Sequence, residues 1–336
     1  MDARTLRSAV GWAVMTNQAP VEIIVLTYNR ARLLSETLRS VVSQSVRPCR
    51  IRVLDNGSTD GTADVVRSHA PAGVELVRWS ENDSRGCWAR MQAMVEAPWV
   101  MLFHDDDLLH PECIRCVHDA ILRSADASII LTLMQTFVGT APPFPELRLR
   151  NTQRLSSRQL AERLYRGLAV PFCTAVYRKD ALQGCEAKVA TFGKIFDRPL
   201  LLDVAAVSGA TLIREPLVLY RRHPSQDSSH RSSGPFPAEV IALQSFYRRL
   251  LGENPLQSEG RAFLRRNWRN LVDEHARMRE CSGWDLSLES FMAEAIRASG
   301  ASRRSFMVGR AYAGITSLPR RLERAVRGLR RSRSRN

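Results

Sequence analysis

Trp99-Val100-Met101-Leu102-Phe103 runs directly into His104-Asp105-Asp106-Asp107, and this junction decides how the rest of the chain is read. Five uninterrupted apolar residues after Pro98 predict a short strand covered on both faces, as in a parallel sheet. Three adjacent carboxylates at its end repel one another, so they require either full solvation or a hard divalent cation. A solvated loop in which one Asp caps the following helix is the plain alternative. The buried strand weighs against it, because it would fix the triplet at the edge of the sheet. Oxygen ligands favour Mg²⁺ or Mn²⁺, ions that also bind the phosphates of a nucleotide.

Outward from that strand, β-branched runs alternate with helix-period segments, which predicts an α/β fold with a mostly parallel sheet and flanking helices. The expected order begins with a strand at 21–28, a helix at 32–43 with Leu34, Leu38 and Val41 on one face, and a strand at 50–54. A turn through Asn56-Gly57-Ser58-Thr59-Asp60-Gly61 leads to a helix reaching Arg67, capped by Thr59 or Asp60. A strand at 74–79, a helix at 86–96, the 99–103 strand, a helix from Pro111 to about Arg123 and a strand at 128–137 follow. Pro142, Pro143 and Pro145 mark a loop. Between Ser156 and Tyr220 the periodicity is weaker and element boundaries are not defined. From Ala238 the chain reads as helical, with Phe246, Leu250, Phe263, Trp268 and Leu271 as core positions.

Ligands of an open parallel sheet bind beyond the carboxyl ends of its strands, and the polar clusters fall there. Thr27-Tyr28-Asn29-Arg30 follows the first strand, Asp55-Asn56-Gly57-Ser58 the second, Asn82-Asp83-Ser84-Arg85-Gly86 the third and the Asp triplet the fourth. The first turn has no G-x-G-x-x-G, which disfavours a dinucleotide site. The Asp55 loop is not a calcium loop, since its twelfth position is Val66 where a Glu is required. A surface turn or a carboxylate that reads a base or ribose both remain open for Asp55.

With 336 residues and 44% hydrophobic content, the chain can bury a full core. Its net charge of +15 is concentrated at the end: residues 301–336 carry eleven Arg against one Glu, leaving only about +5 for everything before them. That distribution, without a recognised motif, argues against a nucleic-acid-binding protein. Leu318, Leu322, Val326 and Leu329 recur at helical spacing among those arginines, the signature of a segment lying on an anionic membrane surface. No apolar run reaches the roughly 18 to 20 residues of a membrane span, and the N-terminus lacks the apolar core of an export signal. Seven cysteines without regular spacing fit a reduced, cytoplasmic setting. Cys113 and Cys116 form a CxxC without a second ligand pair, so they read as buried helix residues rather than a zinc site.

Three segments together carry a resemblance. Val21-Glu22-Ile23-Ile24-Val25-Leu26-Thr27-Tyr28-Asn29-Arg30, then Asp55 to Thr62, then His104 to Pro111 resemble the family 2 glycosyltransferases of GT-A fold in order, spacing and strand-end placement. The resemblance covers about residues 20–225. It implies a nucleotide-diphospho-sugar transferase, Rossmann-like; together with the helical pattern and the Arg/Ser composition of the end, the expected parts are an N-terminal extension (1–19), the catalytic domain (20–235), a C-terminal helical appendage (236–327) and a basic disordered tail (328–336). It further implies inverting transfer from a nucleotide-diphosphate sugar to a saccharide or lipid-linked acceptor, on the cytoplasmic side or peripheral to the membrane. Surface polysaccharide or glycolipid is the product class it suggests.

By the same resemblance Thr27, Tyr28, Asn29, Arg30, Asp55, Asn56, Arg85 and Asp105 bind the nucleotide. Asp106 is the metal ligand, supported by Asp105 or Asp107; many relatives carry Asp where His104 stands. Pro171 to Arg178 resembles the acceptor-side strand, and Asp197 sits where relatives place the catalytic base, with Asp203 the second choice. Arg221 and His223, from Tyr220-Arg221-Arg222-His223, are expected near the phosphates or in a solvated basic loop. A sugar nucleotidyltransferase is the alternative enzyme, but it needs a Gly-rich loop after the first strand, where only Arg30 and Arg32 stand.

Overall fold

The computed structural model describes residues 18–83, 86–147, 151–165 and 168–223, together with Glu239, Ala242, Leu243, Phe246, Tyr247, Leu250 and Leu251. The expectations for residues 1–17, for Arg85, for Phe263, Trp268 and Leu271, and for the arginine-rich end lie outside the described residues. The chain divides into two compact units: 1–160, 169–190 and 195–226 form one, and 161–168, 191–194 and 227–336 the other.

The first unit is built on one sheet. Its strands are β1 (Gln18–Thr27), β2 (Arg47–Asp55), β3 (Val74–Arg78), β4 (Trp99–His104), β5 (Leu108–Leu109), β6 (Ile129–Phe137), β7 (Thr152–Leu155), β8 (Ala175–Arg178) and β9 (Ala210–Arg221). They lie in the order β3-β2-β1-β4-β8-β6-β9-β5, with β7 also paired to β9. The helices are α1 (Ala31–Val42), α2 (Thr62–Ser68), α3 (Cys87–Met94), α4 (Cys113–Arg123), α5 (Ser157–Tyr165), α6 (Lys179–Gln183), α7 (Val189–Phe192) and α8 (Asp197–Ser208).

Apolar content explains the centre of this sheet. Residues Trp99 to Phe103 of β4 are each no more than 3% exposed, and burying side chains of this size contributes about 1.5–3 kcal/mol apiece. Strand β1 is covered almost as completely, as a central strand flanked on both sides must be. Helix α1 presents Leu34, Thr37, Leu38 and Val41 inward at helical spacing. Cys113 and Cys116 face inward from α4 and pack in the core, so the CxxC is a packing feature.

Strand direction fixes where the loops gather. β1, β2, β3 and β4 are mutually parallel, with Thr27 beside Asp55, Asp55 beside Arg78 and Leu26 beside His104. β8 runs antiparallel to both β4 and β6, and β6 runs parallel to β9. The start of β8 and the end of β9 therefore lie at the same edge as the ends of β1, β2 and β4.

Several elements showed no period in the sequence, β8 being expected only from the resemblance of Pro171 to Arg178. β5 is two residues long, and β7 and β8 have four each, too short to show a period. β9 is longer, but Arg214, Glu215 and Pro216 interrupt its apolar run where its register with β6 shifts. In the second unit the described residues from Glu239 to Leu251 are helical, and Leu243, Tyr247 and Leu251 are buried at four-residue spacing. Among the described residues no helix is long and apolar enough to cross a membrane.

Candidate active site

A buried ion pair braces the sheet beneath the loops. Glu22, on β1, receives Arg52 Nη2 at 2.5 Å and the backbone N–H groups of Glu96 and Ala97 at 2.6 and 3.1 Å. The carboxylate thus ties β1 to β2 and to the approach of β4, which sets the strand ends in register.

The loops after β1 and β2 are stitched together by polar side chains. Asn29 adopts a left-handed conformation, φ 49°, unlike any other described non-glycine residue. Its Oδ1 accepts from Thr59 N at 2.7 Å, and its own N–H donates to Ser58 Oγ at 2.9 Å. Asp55 is fully buried, with Oδ1 accepting from Ser58 N at 2.8 Å. Its Oδ2 makes no hydrogen bond and stands 3.4 Å from Arg78 Nε. Asn56 links this loop to the third, donating to Asn82 Oδ1 at 2.8 Å and accepting from Asp83 N at 3.1 Å. Gly57 makes that approach possible: φ is +81°, and a Cβ there would stand 2.7 Å from the Glu81 carbonyl carbon. Asp55 is thus buried rather than part of a surface turn, and Tyr28 is partly exposed.

The three carboxylates of the triplet are buried, and each has different partners. Asp105 takes Thr27 Oγ1 at 2.8 Å on one oxygen and Arg30 Nη1 at 3.0 Å on the other. Burial, offset by Arg30 but reinforced by the neighbouring Asp106 charge, pushes its carboxyl up to about 6. Asp107 accepts the backbone N–H of Arg221 at 2.8 Å and faces His104 Nδ1 at 3.3 Å, while Thr37 Oγ1 donates to its carbonyl at 2.8 Å. Asp106 Oδ2 is shared between Arg30 Nη1 at 3.2 Å and His223 Nε2 at 2.9 Å, but its Oδ1 is buried with no hydrogen-bond partner.

Protein groups therefore engage Asp105 and Asp107 on both oxygens, and Asp106 on one. An unsatisfied buried carboxylate oxygen is costly, and a carboxylate oxygen left open in this way is the hard donor that Mg²⁺ or Mn²⁺ takes. The residues present fit such an ion.

His223 reaches the triplet because β9 ends at this edge, and Arg221 locks it there. The Arg221 guanidinium donates to the Asp106 carbonyl at 2.9 Å and to the Gly139 carbonyl at 3.1 Å, pairs with Glu36 at 2.5 Å and lies 4.7 Å from the centre of the Phe137 ring. Of the two expectations for this residue, the solvated basic loop is not what the structure shows, since the side chain is buried among these partners. Glu36 was not legible as its partner, since it lies 185 positions away on the half-exposed side of α1.

The second half of the site is aromatic. Phe172, in the single 3₁₀ turn Phe172–Thr174 before β8, stacks on His104 with centroids 5.8 Å apart and 13° between planes. It also meets Trp88 edge-on at 5.0 Å, and Trp88 in turn contacts Phe196 at 5.2 Å. This chain of rings carries the N-terminus of α8, with Asp197, up to the end of β4. Tyr177 is buried below; burial, then the nearby Asp197 and Cys173, hold its phenol well above the ordinary range. Asp203 lies further along α8 and pairs with Lys188 at 2.7 Å, so of the two candidate bases Asp197 is the one beside the ring cluster. Sequence reasoning missed Trp88, Phe172 and His104 as a group, because their proximity depends on the antiparallel entry of β8.

Residues 22–185 match the family model described as Glycosyl transferase family 2. Glycosyltransferase AglE of Haloferax volcanii is 32% identical over 98 residues, 28% of this chain and 32% of that protein, so the chain matches about a third of that relative's length. Among solved structures, S. aureus TarS 1–349 in complex with UDP-GlcNAc superposes with a TM-score of 0.55 at 16% identity, covering 87% of this chain and 88% of that one. S. aureus TarS gives 0.51 at 15% identity, over 83% and 54% of the respective chains. At such identities these two likenesses concern the fold, which is GT-A.

Proposed function

Because residues 22–185 are a family 2 glycosyltransferase domain within a GT-A fold, we propose that this glycosyltransferase moves a sugar from a nucleotide-diphosphate donor to a hydroxyl acceptor with inversion at the anomeric carbon. The observation that carries the proposal is the buried, unpartnered Asp106 Oδ1 beside His223, where β1, β4 and β9 end together. Asp106 would hold Mg²⁺ or Mn²⁺ through Oδ1, with His223 on its other oxygen close to where the phosphates would lie. When bound, the ion neutralises charge developing on the departing diphosphate.

The chain's own groups do the rest. Asp55 Oδ2, with Arg78 close by, receives a donor N–H or O–H from the base or ribose, and Asn29 and Asn56 keep its loop in place. Arg30 keeps Asp105 and Asp106 from repelling one another. Asp197 takes the proton from the acceptor hydroxyl as that oxygen attacks the face opposite the leaving nucleotide. Trp88, Phe172 and Phe196 form an apolar wall on the acceptor side, suited to a saccharide ring or to a lipid-linked sugar in surface polysaccharide or glycolipid synthesis.

Calorimetry tests the donor side. Measurable affinity for at least one of UDP, GDP, CDP or dTDP is expected with Mn²⁺ or Mg²⁺ present, UDP first because the TarS structure was obtained with UDP-GlcNAc. Absence of affinity for all four would end the proposal.

The arginine-rich segment 301–336 supports a location on the cytoplasmic face of an anionic membrane. The full chain is expected to co-sediment with vesicles containing phosphatidylserine, and a chain ending at Gly300 to remain in the supernatant. Equal sedimentation of the two would remove this assignment.

A further inference from the structure

Beside the triplet lies a second set of donors of different chemical character. His104, Asp107 and Cys173 each offer one ligand atom, and the three atoms lie within 4.8 Å of one another. His104 Nδ1 and Asp107 Oδ2 are 3.3 Å apart. Zinc with bonds of about 2.0–2.3 Å sets neighbouring tetrahedral donors roughly 3.3–3.7 Å apart. The nitrogen and oxygen already match that spacing, and the sulfur needs to move by no more than about 1.5 Å.

Each donor is oriented by the scaffold. The Arg221 N–H and Thr37 hydroxyl hold Asp107 by its other oxygen and its carbonyl. The His104 ring is fixed by stacking on Phe172. Cys173 follows it in the turn that Thr174 closes, through its N–H and hydroxyl, onto the Pro171 carbonyl at 2.9 and 2.7 Å. Such outer contacts are what make a ligand set selective. Cys173 and Asp107 are fully buried, while 35% of the His104 side chain is exposed, so an ion enters past the imidazole.

We propose that His104, Asp107 and Cys173 form a Zn²⁺ site, separate from the centre at Asp106 and His223. One nitrogen, one oxygen and one sulfur suit a borderline-soft ion, whereas Mg²⁺ takes oxygen and keeps its waters. Three protein ligands leave a fourth position for water on the exposed side of His104. Binding releases the Cys173 proton to solvent and gives a thiolate–zinc bond. The site needs no nucleotide, so it stands or falls independently of the sugar-transfer reading.

The test uses the full chain, stripped of metal by chelator and dialysed against Zn²⁺, with Co²⁺ as the coloured substitute. Wild type is expected to retain about one equivalent of Zn²⁺ more than Cys173→Ala or His104→Gln. Its Co²⁺ form should show a thiolate charge-transfer band that both variants lack. Asp106→Ala should keep both the extra zinc and the band. Equal zinc in wild type and variants, or no thiolate band, would overturn the proposal; loss of zinc in Asp106→Ala would overturn the separateness of the two sites. His104 is partly exposed, so His104→Gln carries the comparison by itself if Cys173→Ala does not fold.

Discussion

Asp106→Ala is expected to lower sugar transfer by at least about 10³-fold in kcat/KM while the protein stays folded. Two features of the site give this asymmetry. Asp106 Oδ1 is the carboxylate oxygen of the triplet left without a protein partner, and the substitution otherwise costs only the Oδ2 contacts with Arg30 and His223. The contacts that do hold the loop survive: Arg30 keeps Asp105 at 3.0 Å, and Arg221 Nε binds the backbone carbonyl of residue 106 rather than its side chain. Thermal unfolding should move by less than roughly 5 °C, and the affinity for a nucleoside diphosphate with Mn²⁺ should fall with activity. Transfer within tenfold of wild type would show that Asp106 is not the centre of the site.

The second large effect concerns the acceptor side. Asp197→Asn removes the proposed proton acceptor but preserves the shape of the carboxylate, and a lost general base costs about 10²–10⁴-fold. The loss should fall on kcat, with donor KM unchanged, because Asp197 lies with the aromatic cluster rather than with the nucleotide loops. Asp203→Asn is the matching control, since that carboxylate is paired with Lys188 at 2.7 Å. A larger loss in the Asp203 variant would move the base to that position.

Much of this was legible in the sequence, for identifiable reasons. The expected strand at 99–103 is an uninterrupted apolar run, those at 21–28, 50–54 and 74–79 are apolar or β-branched runs broken by single charged residues, and the turns after them carry Asn, Asp and Gly, so both the sheet and its loaded edge could be read. The Asp triplet announced itself by charge repulsion at the end of a buried strand. What could not be read was the division of labour within it. That depends on Thr27, Arg30, Arg221 and His223, which arrive from strands distant in the chain and consume particular oxygens. The partners of Arg221 were out of reach for the same reason: nothing in the sequence joins it to Glu36. The aromatic wall was hidden because β8 is four residues long and its antiparallel entry, which delivers Phe172 and Cys173, leaves no periodic trace.

The 117 positions that separate Asp106 from His223 have a consequence for biogenesis. Everything needed to assemble the nucleotide-facing strands leaves the ribosome early, yet the imidazole becomes available only after β9 has been synthesised and paired with β6. Contacts between such remote segments form late, since closing long loops is entropically unfavourable until the intervening structure is in place. A nascent or partly unfolded chain would therefore present its acidic loop before the proposed centre is complete, which would withhold donor chemistry until the scaffold is whole.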